Sequence, residues 1–272
     1  MIVDHTQHLD TTRTRLYRMR DLFRVAFHPK FRNDVRCLAP FCPRGGIYAD
    51  VGANHGRVTR ELARLHGGNC RVLAFEPTLY NLRVLNHQSK RKNVQVFDFG
   101  LSDQVCDAEL LVPLRPNKSW AHGSARVVTE DGLSEFDARP ETFVRQTIHA
   151  RPLDEVLAEQ GVDRLDFIKL DVEGHEPFVL RGGARTIDAC KPSILMEVRP
   201  SAAEPVGLLA ERGYSFYDVD LGDDGAWTQD VAALMDRIRD KHHDVLCWHP
   251  DGPVGAGGAP PSFGLPFHKT RF

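Results

Sequence analysis

Between residues 46 and 200 the chain alternates short apolar, β-branched runs with stretches of helical periodicity, and that alternation restricts it to few architectures. Residues 47–51, 71–75 and 94–97 read as strands. The segments between them place Val58, Leu62 and Leu65, then Leu79, Leu82 and Leu85, on single helical faces. Strand, helix, strand, helix, strand is the half-unit of a doubly wound parallel sheet, because parallel neighbours need a crossover long enough to hold a helix. The rhythm resumes with a helix at 153–157, a strand at 165–170, a helix at 177–187 and a strand at 194–198. A helix over 206–210 leads to apolar runs at 214–219 and 244–248. These are expected to pair antiparallel at one edge and complete an α/β, doubly wound, mostly parallel seven-stranded sheet.

Residues 103–150 break the rhythm. Apolar runs at 110–112 and 126–128 have Pro113, Pro116, Asn117 and Gly123 between them, which predicts a hairpin-like insertion over the sheet edge. The chain thus divides into an N-terminal helical extension (1–45), a main domain (46–250) carrying the insertion, and a Gly- and Pro-rich tail (251–272), draped on the domain or disordered. In the extension, Leu16, Met19, Leu22, Phe23 and Ala26 mark an amphipathic helix over residues 9–27. Packing on the main domain is its simplest role. A lid, a membrane-surface helix or a dimer contact are the alternatives, so a homodimer stays open.

Lysine and arginine number 35 against 37 aspartates and glutamates, a formal net charge of -2, so no overall positive field invites nucleic acid or an anionic membrane. No apolar run reaches the ~18–20 residues of a membrane span, and the N-terminus lacks an apolar leader core. The scattered cysteines, including the close pair Cys37 and Cys42, show no zinc-type spacing and read as reduced, packed thiols. A cytoplasmic protein with no nucleic-acid partner and no transmembrane segment is expected.

The segment Asp50-Val51-Gly52-Ala53-Asn54-His55-Gly56 falls where the first strand turns into the first helix, at the carboxyl edge where open α/β sheets bind ligands. Gly52 and Gly56 let backbone approach a ligand, and Asn54 tolerates a left-handed turn conformation. A dinucleotide fingerprint has glycine at offsets 0, 2 and 5, whereas here the offsets are 0, 2 as Asn, and 4. Asp50 would oppose a pyrophosphate but suits a cationic group, such as the ammonium and sulfonium of S-adenosylmethionine. Glu76, at the end of the second strand, is placed to accept hydrogen bonds from two ribose hydroxyls.

These residues, with Phe75-Glu76-Pro77, Gly100-Leu101-Ser102-Asp103 and Ile168-Lys169-Leu170-Asp171-Val172-Glu173-Gly174-His175-Glu176, resemble the FkbM-type family of S-adenosylmethionine-dependent methyltransferases over residues 46–200. The resemblance implies a Rossmann-like class I methyltransferase fold and, mostly, O-methylation of hydroxyls on sugars, polyketides or other natural products. Carried over by position, Asp50, Gly52, Asn54 and Gly56, with Ala53 in the same loop, would hold the methionyl end of the cofactor. Glu76 would bind ribose, and Leu101 with Ser102 would edge the adenine.

Read from the residues alone, Asp171-Val172-Glu173-Gly174-His175-Glu176 lies at the carboxyl end of the fourth strand, beside the first strand across the switch point. Methyl transfer to oxygen is an in-line displacement, so an enzyme must hold the acceptor about 3 Å from the methyl and relieve it of a proton. Asp171 is the first candidate to orient or deprotonate the acceptor. His175 is the second, because imidazole titrates near the operating pH. The alternatives are a cofactor or turn contact for Asp171 and a loop histidine without chemical role for His175. Lys169, inside an apolar strand, is either paired with a carboxylate such as Glu197 or part of the site. Glu173 and Glu176 could cap the following helix. Asp171, Glu173 and Glu197 offer oxygens to a hard cation, but without coordination geometry no metal is assigned. His122, His242 and His243 read as surface. The leading expectation is an O-methyltransferase acting on a hydroxyl of a small molecule, sugar or glycan. A non-catalytic cofactor-binding or assembly module would show altered cofactor residues. The glycine spacing and Asp50 oppose a nicotinamide oxidoreductase.

Overall fold

The computed structural model describes residues 2–4, 35–114, 126–127, 142–200, 202–224, 226–255 and 258–263. The expected amphipathic helix over 9–27, and any lid or dimer contact it makes, lie outside the described residues, as do His122 and the tail beyond Phe263. In chain order the strands are β1 (Ile2–Asp4), β2 (Ile47–Val51), β3 (Arg71–Phe75), β4 (Val94–Phe97), β5 (Gly100–Leu101), β6 (Cys106–Leu114), β7 (Arg126–Val127), β8 (Thr142–Arg151), β9 (Phe167–Leu170), β10 (Ser193–Val198), β11 (Ser215–Asp218) and β12 (His243–Trp248). The helices are α1 (Arg57–Leu62), α2 (Leu79–Gln88), α3 (Leu153–Glu159), α4 (Glu176–Gly182), α5 (Ala184–Cys190), α6 (Glu204–Ala210) and α7 (Val231–Arg237).

The main sheet is seven-stranded, in the order β11-β12-β10-β9-β2-β3-β4. Only β12 runs antiparallel to its neighbours, so the expected antiparallel pair β11–β12 closes one edge. Helices cover both faces, which is why β2, β3, β9 and β10 are apolar with hardly a break. Side chains alternate across the sheet: Ala49 and Val51 meet the core formed with α3, α4, α5 and α6, while Tyr48 and Phe167 face Leu38, Phe41, Val58 and Leu62 on the other side. Cys37 and Cys42 are buried near this second layer. The described part of the tail lies there too, with the Phe263 ring 5.3 Å from Phe41 and 4.8 Å from Tyr217. No helix among the described residues is long and apolar enough to cross a membrane.

Three expectations need correction. The predicted helix over 177–187 is two helices, α4 and α5, broken at Gly183. Just before the break, a Cβ on Gly182 would sit 1.9 Å from the Ser102 carbonyl oxygen, so close packing of α4 on the 100–103 segment requires glycine. The insertion is more than a hairpin: β6 lies between β7 and a long strand, β8, in a second sheet of order β1-β8-β6-β7, which β5 joins by pairing with β8. Strand β8 was not anticipated, although Val144, Gln146, Ile148 and Ala150 alternate as buried positions with exposed Arg145, Thr147 and His149. His243 is not a surface residue: it is buried, and its Nδ1 lies 2.7 Å from Oδ2 of the fully buried Asp218.

Candidate functional site

Strands β2 and β9 pair in parallel with Asp50 opposite Lys169 and Val51 opposite Leu170. The strand order reverses between them, so their carboxyl ends open a crevice where chain leaves the sheet in two directions. A cavity of about 380 Å³ occupies it, lined by Gly52, Asn54, Glu76, Thr78, Asn81, Leu101, Ser102, Asp171, Glu173, His175 and Glu197, with Cys106, Leu110 and Ile148 of the second sheet as an apolar wall.

The loop after β2 has three successive left-handed points, Gly52 (φ +76), Asn54 (φ +51) and Gly56 (φ +78). At Gly52 an added Cβ would lie 1.9 Å from the Asp171 carbonyl oxygen, so this glycine lets the two strand ends approach each other. The amides of Gly52 and Ala53 both donate to the Phe75 carbonyl, at 3.1 and 2.9 Å, which ties the loop to β3. Gly52 and Asn54 reach the cavity wall, whereas Ala53 packs behind it with Ala74, Leu82 and Leu85, and a Cβ on Gly56 would meet Leu85. Asp50 is likewise beneath the loop: it is 0% exposed and accepts a hydrogen bond from Thr59 Oγ1. Burial pushes its carboxyl above the usual range, and the Lys169 ammonium opposes that rise.

Glu76 is buried at the cavity wall. Its Oε2 accepts from the Asn54 amide at 2.8 Å, and its Oε1 accepts from the Thr78 amide at 2.8 Å and Asn81 Nδ2 at 3.2 Å. Burial raises its carboxyl pKa, and these hydrogen bonds act against the rise. Asn54 Oδ1, Asn81 Oδ1 and Glu197 Oε2 are buried atoms without a hydrogen-bond partner on residues that line the cavity. Thr78 and Asn81 were missed from the sequence. A threonine just before a helical stretch is a sequence signal for the N-cap position of α2 that Thr78 occupies, but Asn81, one turn in, carries no comparable mark.

At the other end, Lys169 Nζ donates to Asp171 Oδ2 at 3.0 Å and to the Gly52 carbonyl at 3.3 Å. The expected pairing of Lys169 therefore exists, with Asp171 in place of Glu197. Burial lowers the lysine pKa, but Asp171 and Asp50 more than offset it, leaving a net rise. Glu176 acts at the start of α4: its Oε1 accepts from the amides of Val172 and Gly174, each at 3.2 Å, closing the turn that holds Glu173 at φ +57. Glu173 is paired with Arg199 at 2.7 Å. Carboxylate oxygens of Asp171, Glu173 and Glu197 lie within 4.8 Å of one another, yet Lys169 and Arg199 already compensate two of the three.

His175 stacks on Phe178 with ring centroids 4.5 Å apart, and its Nε2 lies 3.1 Å from Ser102 Oγ. Ser102 Oγ donates to Asp103 Oδ1 at 3.3 Å. The serine has one proton to give, so Nε2 of the imidazole carries the other and Nδ1 keeps the lone pair. Burial lowers the His175 pKa to about 4 despite the nearby Asp103, and Arg181 adds to the fall. The folded chain then binds fewer protons than the unfolded one, whose histidine titrates near 6.5. Stability from this group is intact above about 6.5 and lost as pH falls toward about 4. A His175→Gln variant should show a flatter decline in chemical-denaturation midpoint between those pH values; a decline parallel to that of the parent chain would contradict the assignment.

The family model described as the methyltransferase FkbM domain matches residues 50–221. Among curated relatives, methyltransferase sdnD of Sordaria araneosa is 26% identical over 219 residues, covering 71% of this chain and 81% of that protein. The AMB antimetabolite synthetase AmbE of Pseudomonas aeruginosa is 30% identical over 166 residues, 52% of this chain but only 8% of that protein. Among solved structures, methyltransferase FkbM from Methylobacillus flagellatus aligns with a TM-score of 0.42 at 20% identity, over 75% of this chain and 43% of that one. Fibrillarin of Aeropyrum pernix, solved with natively bound S-adenosyl-L-methionine, aligns with a TM-score of 0.42 at 12% identity, over 77% of this chain and 68% of that one.

Proposed function

The chain belongs to the FkbM methyltransferase family, and we propose that it uses S-adenosylmethionine to methylate a hydroxyl on a small molecule, sugar or glycan. The observation that carries this reading is the chemistry of the cavity wall. Glu76, Asp171 and Glu173 set carboxylate acceptors around the cavity, the last two already held by Lys169 and Arg199. A ligand matched to that wall is rich in donors and positive charge, as an adenosyl group bearing an ammonium and a sulfonium is. A pyrophosphate would need donors where the wall offers acceptors.

In this reading Gly52 and Asn54 hold the methionyl end. Asp50, Ala53 and Gly56 support that loop from beneath, Asp50 through its charge and the other two through packing. Glu76 accepts from ribose, and Leu101 with Ser102 borders the adenine. The bound cofactor supplies a methyl group on a positively charged sulfur, which an oxygen nucleophile can displace. Asp171, with one carboxylate oxygen held by Lys169, orients the acceptor hydroxyl from the end of β9. His175, neutral at ordinary pH, offers the Nδ1 lone pair as proton acceptor. The apolar wall of the second sheet limits water in the cavity.

The separation of roles is testable with labelled methyl donor and a panel of hydroxylated acceptors. Asp171→Ala should lower kcat by about 10²-fold while S-adenosylhomocysteine affinity stays close to that of the parent chain. An equal loss of cofactor affinity would make Asp171 a cofactor contact and remove it from the acceptor side.

A further inference from the structure

Glu197 lines the cavity from the end of β10. In the parallel pair β9–β10 the last matched residues are Leu170 and Met196, so the next residue on each strand, Asp171 and Glu197, come side by side at the carboxyl ends. Carboxylate oxygens of these two and of Glu173 lie within 4.8 Å of one another. The charges there do not balance. Lys169 is committed to Asp171 at 3.0 Å and Arg199 to Glu173 at 2.7 Å. Glu197 is left with the imidazole of His242, whose Nδ1 is 3.4 Å from Oε1, longer than a charge-assisted hydrogen bond. Its Oε2 has no hydrogen-bond partner. Asp244, opposite Glu197 on β12, adds a further carboxylate, close enough to act on the Lys169 ammonium. A carboxylate whose side chain is 24% exposed in a cavity, and which lacks a counter-charge, is completed by a cation that enters the cavity.

The cofactor does not supply that cation. Its methionyl end is assigned to the loop after β2, and β9 lies between β2 and β10 in the sheet. Glu197 therefore stands two strand spacings, about 10 Å, from that loop, on the far side of Asp171. A divalent ion is disfavoured, because the Lys169 ammonium and the Arg199 guanidinium sit against two of the three carboxylates and would repel it. A singly charged group needs one carboxylate. We infer that the acceptor is a vicinal amino alcohol of the kind amino sugars carry: Glu197 pairs with its ammonium while Asp171 orients the hydroxyl on the next carbon. Two carboxylates this close match two groups that project from adjacent carbons. Glu197 is thus a specificity-determining residue, since an amide or hydroxyl in place of the ammonium leaves its charge unpaired. This inference rests on the O-methylation reading above.

The experiment measures transfer of labelled methyl from S-adenosylmethionine to the methyl glycosides of glucosamine, galactosamine and 3-aminoglucose, each beside its N-acetyl derivative and the corresponding neutral sugar. The parent chain should O-methylate at least one amino sugar with kcat/KM about tenfold or more above both neutral counterparts. Glu197→Gln, which keeps the shape of the side chain and removes its charge, should bring that ratio close to one. Calorimetric titration of the variant with S-adenosylhomocysteine shows that it is folded, and its affinity should match that of the parent chain. Four results would overturn the inference with the cofactor reading left standing: equal or better use of the neutral counterparts, an amine preference that survives in Glu197→Gln, methylation that depends on added magnesium and stops on chelation, or no methylation of any member by a chain that binds S-adenosylhomocysteine. Failure of the parent chain to bind S-adenosylhomocysteine at all would overturn the cofactor reading and this inference with it.

Discussion

Gly52→Ala is expected to destabilise the chain by about 2–4 kcal/mol and to abolish measurable adenosyl-ligand binding. Two costs combine at this position. The backbone is held at φ +76, where an L side chain is strained, and the added Cβ would lie 1.9 Å from the Asp171 carbonyl oxygen and 3.0 Å from its carbon. The obstacle is backbone at the end of a central strand, so it cannot swing aside as a side chain would. Relief requires the ends of β2 and β9 to part, which loosens the Asp171 amide to Val51 carbonyl bond of 3.1 Å and the Lys169 to Gly52 contact of 3.3 Å. Gly67→Ala is the control, since Gly67 has a similar φ of +72 and nothing within 4 Å of its Cβ position. That variant should show only the left-handed strain of about 1–2 kcal/mol and keep its ligand. Equal thermal shifts for the two variants would refute the close approach of the strand ends.

The second large effect is expected at Lys169, whose replacement by methionine should cost about 3–5 kcal/mol. Its partner Asp171 has a side chain 32% exposed and can turn to water, but Asp50 is 0% exposed and cannot. Removing the ammonium leaves Asp50 with the hydrogen bond from Thr59 Oγ1 and with one buried oxygen, Oδ1, that has no partner even in the parent chain. Asp50 already titrates above the ordinary carboxylate range, so the folded chain holds its proton more tightly than the unfolded chain does. Stability from such a group is greatest at acid pH and falls as pH rises from the ordinary value toward the raised one. Lys169→Met widens that interval, so its deficit should be smallest in acid and grow toward neutral pH. Adding Asp50→Asn should recover much of the loss in chemical denaturation. A double variant as unstable as Lys169→Met, or a deficit independent of pH, would contradict the account.

Much of the fold was legible because both periodicities were strong: β2, β3, β9 and β10 are apolar runs with helices of 3.6-residue period between them. The insertion was less legible. Strand β8 alternates Arg145, Thr147 and His149 with buried positions that include the polar Gln146, and its partner β6 contains Pro113, so composition concealed a regular antiparallel ladder. The site divided along the same line. The sequence marks which residues surround the strand ends, because loop position follows from strand and helix order. It does not say on which side of a loop a residue lies, and so Asp50 and Ala53 fell among expected ligand contacts while the structure buries them beneath the wall. His243 was misread for a related reason: the sequence places it beside His242 and several charged residues, while its partner Asp218 comes from a neighbouring strand. Asn81 was invisible because its significance lies in its hydrogen bond to Glu76, the residue five places before it.

In the proposed function, the cavity at the β2–β9 switch point takes an adenosyl cofactor through Glu76. Calorimetric titration with S-adenosylmethionine, S-adenosylhomocysteine and NAD, on the parent chain and on Glu76→Ala, tests it most directly. Both adenosyl ligands should bind the parent chain, the variant should lose about 100-fold or more in affinity, and NAD should not bind. Absence of adenosyl-ligand binding in a folded parent chain, or equal affinity in Glu76→Ala, would contradict it.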